Sequence, residues 1–318
     1  ALAAAILRAE RADPDLTRDR MTIYRSAEAH FSLDKAARIL GVRADHVRSI
    51  DIDERRAMRP GALADAIDAD RRAGLTPVLV CATAGTTNTG AIDPTSDIAP
   101  VARERGVWLH VDGAYGAPAA LGARGAELRD HFALADSLAV DPHKWLFTPI
   151  DIGCVLFRDE DAQIQAFTTT SDYVEVHQTA PIERFAFFDR GVELSRRFRA
   201  LKLWMLLRLR GADAIAREID RHIALRERLD RRIDEAPNLE RIAGGLSIVC
   251  FRVRPPGVSD DEADGATTRA LERINATGRF LLSPTKVDGR PALRACIVGF
   301  RTGERDIDEL AALAAAPA

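Results

Sequence analysis

SLAVDPHKW, residues 137–145, is an apolar run of strand length that stops abruptly in a charged and aromatic tail. Two other stretches have the same build, TPVLVCATAG (76–85) and VWLHVDGAYG (107–116), each apolar and closed by polar or small residues. GCVLFRD (153–159) is a fourth strand candidate, and AEAHFSLDKAARIL (27–40) has helical spacing. Apolar strands separated by helices predict a mainly parallel sheet covered on both faces. In such sheets ligands bind beyond the carboxyl ends of the strands. The strand ends are Thr83 to Thr87, Asp112 to Gly116 and Asp141 to Lys144, so these residues are expected to converge on one crevice.

The pattern changes at Ser195. SRRFRALKLWMLLRLRG (195–211) and ADAIAREIDRHIALRERLDRRIDE (212–235) read as two long amphipathic helices, with Gly211 as the cap between them. After them come LSIVCFRV (246–253), a helix near 261–276, a strand near 280–285, ALRACIVGF (292–300) and a last helix after Glu304. The expected organisation is a large α/β domain over 1–210 and a small α/β domain over 211–318.

The 318 residues are 47% hydrophobic and 29% charged, with 45 basic against 48 acidic side chains, so no basic surplus points to nucleic acid. No run of 18 uninterrupted apolar residues predicts a membrane span. Cys81, Cys154, Cys250 and Cys296 are far apart, without metal-ligand spacing, and read as buried thiols in a reducing, cytoplasmic compartment. The first ten residues, ALAAAILRAE, resemble a helix interior rather than a signal peptide. They open in mid-pattern, so a preceding segment is expected.

Chemistry enters with Asp112 and Lys144, which close neighbouring strands. Pyridoxal 5′-phosphate needs a lysine amine for an imine with its aldehyde, and a carboxylate that keeps its pyridine nitrogen protonated. A lysine between His143 and Trp145 at a strand end suits that task. It equally suits a structural ion pair with Asp141 or Asp136, and position alone does not separate the two.

Four motifs in order, TAGTTNTGAIDP (83–94), HVDGAYG (110–116), SLAVDPHKWL (137–146) and RRFRALKLW (196–204), resemble the group II pyridoxal-phosphate decarboxylases, nearest their aromatic amino-acid branch. The resemblance covers essentially the whole chain. It implies the type I fold of pyridoxal-phosphate enzymes and a homodimer. It implies that Lys144 carries the cofactor, Asp112 meets the pyridinium, Ala114 lies against one ring face and His30 stacks on the other. Thr87 would sit near the ring's phenolic oxygen, His143 on the phosphate side, and Ser195 among the cofactor contacts. Tyr173, in TTTSDYVEVHQ (168–178), would protonate the substrate α-carbon.

The animal aromatic enzymes have asparagine in place of Asp141, and a carboxylate there would repel a phosphate dianion unless paired or turned away. The family's phosphate-anchoring turn is expected before Ala1. The implied activity is α-decarboxylation of an L-amino acid, with aldehyde formation on the same fold as the alternative. A non-catalytic remnant is the alternative of another class. Arg294 matches an arginine of the glutamate branch and reads as structural.

Overall fold

The structure is a computed structural model, and it describes residues 1–168 and 187–317. Six strands form the first sheet: β1 (Met21–Ser26), β2 (Val47–Ile50), β3 (Thr76–Thr83), β4 (Trp108–Asp112), β5 (Ser137–Val140) and β6 (Cys154–Phe157). Their order is β2-β1-β3-β4-β5-β6, and all neighbours are parallel except β5 and β6. The mainly parallel α/β sheet read from the sequence is therefore present.

Successive side chains on a strand point to opposite faces, and here each face has its own core. Val80 and Ala82 of β3, with Leu109 and Val111 of β4, pack on α3 (Pro60–Arg72) and α4 (Thr95–Glu104). Leu79, Cys81 and Trp108 face the other way, onto α1 (Leu2–Ala12) and α2 (Ser32–Ile39). Thr83 and Asp112 extend this second face to the strand ends, where they are direct cross-strand partners. The chain continues through α5 (Leu128–Phe132) and α6 (Glu160–Phe167).

The second sheet is antiparallel, built from β7 (Leu239–Gly245), β8 (Ile248–Val253), β9 (Ser283–Val287) and β10 (Arg290–Cys296) in the order β7-β8-β10-β9. One face buries Val249, Phe251 and Leu293 against α8 (Ala212–Glu235), α9 (Asp260–Ala276) and α10 (Glu304–Ala315). The other places Ile248, Cys250 and Ala292 against Tyr115 of the first sheet's assembly. Helix α8 serves both assemblies, because Ile215, Ile219 and Ile223 join a core with Trp145 while Leu225, Leu229 and Ile233 join that of the second sheet.

Several elements differ from the sequence reading. Strands β1, β2 and β7 were not anticipated. In MTIYRS the buried Thr22, Tyr24 and Ser26 interrupt any apolar run. The strand is buried all the same because Thr22 and Tyr24 are answered, while Ser26 Oγ has no partner among the described residues. Tyr24 Oη donates to Asp70 at 2.7 Å, and Arg48 of β2 grips the same carboxylate at 2.6 Å. The helix read over 27–40 is only Ser32–Ile39. That read over 195–211 is α7 (Ala200–Arg210), and Arg199 just before it pairs with Asp151 and Glu193. Helix α7 has no buried residue. Cys81 and Cys250 are buried as read, but Cys154 is exposed, since β6 is the sheet's outer strand.

The turn after β3 is tied down from inside. Asp93 is fully buried, and its two carboxylate oxygens accept from Met58 N (2.6 Å) and Thr83 N (2.7 Å). Both oxygens are needed, so Asp93→Asn would turn an amide N–H₂ toward one of these donors. We expect a stability loss of about 1–3 kcal/mol, the cost of a buried unsatisfied polar group. Urea unfolding checks this, and an unchanged midpoint would show that the carboxylate does not hold the turn.

Candidate active site

Beyond the carboxyl ends of β3, β4 and β5 lies a cleft of about 380 Å³. His30, Thr87, Asp112, Ala114 and Lys144 all line it. Strand register explains the assembly. Thr83, Asp112 and Ala139 form one row across β3, β4 and β5, and Cys81, His110 and Ser137 form the row behind it.

Each residue is held by a local device. Asp112 Oδ1 accepts from Ala114 N at 3.0 Å, so the turn it begins also fixes its carboxylate. Gly113 and Gly116 let that turn close: a Cβ on Gly113 would press on Ala117, and one on Gly116 would collide with the Ala84 carbonyl. His30 stands just before α2 and its Nδ1 accepts from Ser32 Oγ (2.9 Å), which leaves the ring N–H on Nε2. Thr87 is exposed at the tip of the turn leaving β3.

Lys144 lies in the turn after β5, where its backbone N–H donates to Asp141 O at 2.9 Å. Its ammonium also meets Asp141 Oδ2, again at 2.9 Å. The structural ion pair left open by the sequence is thus formed, and it is formed inside the cleft. The adjacent Trp145 is fully buried. Its ring stacks on Tyr115 with centroids 5.0 Å apart, and its indole N–H donates to His222 Nδ1 at 3.1 Å. His222 Nε2 then donates to Gly299 O at 3.1 Å. Because Nδ1 must accept, His222 is neutral here, consistent with burial pulling its imidazole below the usual range.

Two expected site residues do not line this cleft, although His143 Nε2 comes within 3.9 Å of Asp141 Oδ2, which does. His143 Nδ1 donates to Ile152 O at 2.5 Å, and the ring does not line the cleft. Ser195 is exposed, in irregular chain before α7, also away from the cleft. Tyr173 lies outside the described residues. Thr83, Tyr115 and Asp141, which the sequence placed in the strand-end stretches but not among the cofactor contacts, also line the cleft. The alternation of β3 would have found Thr83, two residues beyond Cys81 on the same face.

The residues fit a pyridoxal cofactor. Lysine and carboxylate face one cleft from adjacent strand ends, and Ala114 is small enough to lie flat against a ring. Thr83 Oγ1 is buried on the cleft wall with no hydrogen-bond partner among the described residues, as expected of a group that meets a ligand. Among the described residues no cluster of His, Cys, Asp or Glu is placed to hold a metal ion.

Comparison with known proteins agrees. The family model described as the pyridoxal-dependent decarboxylase conserved domain matches residues 3–254. The chain belongs to this family. An aromatic-L-amino-acid decarboxylase of Bacillus atrophaeus is 36% identical over 282 residues, covering 88% of this chain and 59% of that protein. A phenylacetaldehyde synthase of Arabidopsis thaliana is 30% identical over 294 residues, covering 92% and 60%. The crystal structure of Oryza sativa TDC with PLP and tryptamine superposes with a TM-score of 0.86 at 30% identity, covering 99% of this chain and 67% of that one. The chain therefore spans about three fifths of the length of the curated relatives it matches.

The cleft's back wall carries a pH dependence. His110 is buried, with Nδ1 2.9 Å from Ser137 Oγ, and burial holds its imidazole down at about 3. The unfolded chain takes up this proton near pH 6.5, so stability is lost as pH falls below that value. Asp93 acts in the opposite sense: burial raises it to about 6, so protonation below that pH favours the folded state. At about 1.4 kcal/mol per unit, His110→Gln should lose about 3 kcal/mol less than the parent between about pH 7 and 4. Urea unfolding at both pH values measures the difference, and equal losses would show that His110 is not the acid-sensitive group.

Proposed function

We propose that this chain is the cofactor-binding core of a pyridoxal-phosphate-dependent carboxy-lyase that removes the α-carboxylate of an aromatic L-amino acid. The observation that carries the reading is the convergence of Lys144 and Asp112 on one cleft with His30, Thr87 and Ala114. When bound, the cofactor supplies an electron sink for the pair released as carbon dioxide departs. The protein's own tasks are positional. Lys144 would hold the cofactor covalently through its amine. Asp112, braced by Ala114 N, would keep a proton at the pyridine nitrogen. Ala114, His30 and Thr87 would bound the cofactor within the cleft. His30, whose Nδ1 accepts from Ser32 N at 3.3 Å, would orient the substrate carboxylate. Tyr173 delivers the proton that replaces the carboxylate.

Among the described residues no helix is long and apolar enough to cross a membrane. We place the enzyme in the cytoplasm, where the unpaired Cys81, Cys154, Cys250 and Cys296 would stay reduced. We further propose a homodimer. Trp204 and Met205 of α7 stand 59% and 57% exposed, with Phe198 (73%) and Leu194 (78%) beside them, an apolar surface that suits burial against a second copy.

Lys144→Ala is expected to abolish the imine absorbance seen when the parent is mixed with pyridoxal phosphate. A parent without that absorbance would overturn the cofactor assignment. The similarity to a phenylacetaldehyde synthase gives aldehyde formation standing as a second reading. Product analysis with aromatic amino acids in air separates the two: the parent should release amine and carbon dioxide, and Tyr173→Phe should shift product toward aldehyde, ammonia and hydrogen peroxide, with dioxygen consumed as the oxidant. Unchanged amine yield in that variant would remove Tyr173 from the proton-delivery role.

A further inference from the structure

The turn carrying Thr87 is fastened to the second sheet as well as the first. Its base is conventional: Ala84 bridges Ile92, Thr86 N donates to Ala91 O at 2.8 Å, and the buried Thr86 and Thr89 hydroxyls lie 3.0 Å apart. Its tip is different. Asn88 makes four hydrogen bonds to three strands of the second sheet. Its Nδ2 donates to Lys286 O of β9 at 3.1 Å, and its Oδ1 accepts from Thr285 Oγ1 at 2.5 Å. Its main-chain oxygen accepts from Arg294 Nε of β10 (3.1 Å) and from Cys250 Sγ of β8 (3.3 Å). Arg294 and Cys250 are cross-strand partners, so one rung of the sheet meets one carbonyl.

The backbones also touch. Gly90 lies against Gly245, and a Cβ on either would collide with the other's carbonyl oxygen. Gly90 adopts φ +76°, a conformation that L side chains rarely take, so glycine is required twice over. An ordinary exposed loop tip is satisfied by water and free to move. This one is fixed by the second sheet, and the residue before Asn88 is Thr87, on the cleft.

We propose that Asn88 is a positioning residue through which the second sheet sets the place of Thr87 against the bound cofactor. Arg294 belongs to the same device: it serves the cleft through the Asn88 carbonyl and does not reach substrate. The inference rests on the reading in which Thr87 contacts the cofactor. The second sheet is then part of the cofactor site although, among the described residues, none of its side chains lines the cleft.

The test is a double-mutant cycle on cofactor affinity in Thr87→Ala, Asn88→Ala and the double variant. Pyridoxal phosphate is titrated into each protein and followed by imine absorbance, with urea unfolding in parallel. Thr87→Ala and Asn88→Ala should each weaken binding about five- to tenfold, and the double variant no further than either alone, because partners in one unit are not additive. Thr285→Val, which removes one bond to Asn88 from outside the turn, should weaken binding in the same direction and less. A double variant weakened by the product of the single effects overturns the proposal, as does an Asn88→Ala protein that binds like the parent. If Thr87→Ala itself binds like the parent, the contact between Thr87 and cofactor is what fails. Should Asn88→Ala not fold, Thr285→Val combined with Thr87→Ala completes the same cycle.

Discussion

The register of β4 between β3 and β5 is the constraint on which the cleft depends. Parallel pairing sets Thr83 opposite Asp112 and Asp112 opposite Ala139. Because strand side chains alternate with a period of two, a slip of one residue would turn Asp112 into the helical core and bring a valine into the cleft. The slip is opposed on both faces at once. Val80, Ala82, Leu109 and Val111 are buried under α3 and α4, and Leu79, Cys81 and Trp108 under α1 and α2. At roughly 25 cal/mol per Å² of apolar surface, any register that exposed these side chains would cost many kcal/mol, far more than one displaced carboxylate. The core thus specifies the chemistry's geometry without touching the reacting groups.

Buried polar groups do the finer positioning. Asp93 caps the end of β3 and reaches across to Met58, so the turn leading to Thr87 starts from a fixed point. Trp145 anchors the turn of Lys144 through stacking on Tyr115 and through the His222 bond. Tyr115 in turn meets Ser247 of the second assembly at 2.5 Å. Both flanks of the cleft are therefore referenced to the second sheet and its helices. A local hydrogen bond inside a low-dielectric interior is strong when satisfied and costly when broken, which makes such groups effective spacers between two assemblies that share one helix.

How much of this the sequence reveals follows from the same physics. The apolar strands β3, β4 and β5 are legible because they are buried on both faces and read as continuous hydrophobic runs. Their ends bring Asp112, Lys144 and Thr87 to one crevice, while the role of each comes from the family resemblance. Strand β1 is not legible, because Thr22, Tyr24 and Ser26 break its apolar run and Thr22 and Tyr24 are buried through a network with Asp70 and Arg48 that no local pattern encodes. Strand β7, LERIAGG, hides its strand character behind charges and two glycines, one of which exists to let Gly90 approach. Asn88 looks like a turn residue from sequence. Its partners lie nearly two hundred positions away or more for Thr285, Lys286 and Arg294, so only the folded chain discloses what it does.

On the proposed function, the two readings of Lys144 that sequence position could not separate would describe successive conditions of one side chain. A free ammonium at the mouth of an apolar-walled cleft needs a counter-charge, and Asp141 supplies it from three residues away in the same turn. Asp141 is drawn toward Lys144, with its backbone N–H fixed on Ala114 O at 3.0 Å. Its charge is balanced locally while the ammonium is free. An amine that attacks an aldehyde must surrender its proton and leave this partner, whereas an asparagine would hold it by a weaker, uncharged contact. On the proposed function, the departure from the asparagine of the animal aromatic enzymes would act on how firmly the lysine is held before the cofactor arrives, and it leaves intact the register that brings Lys144 and Asp112 to the same cleft.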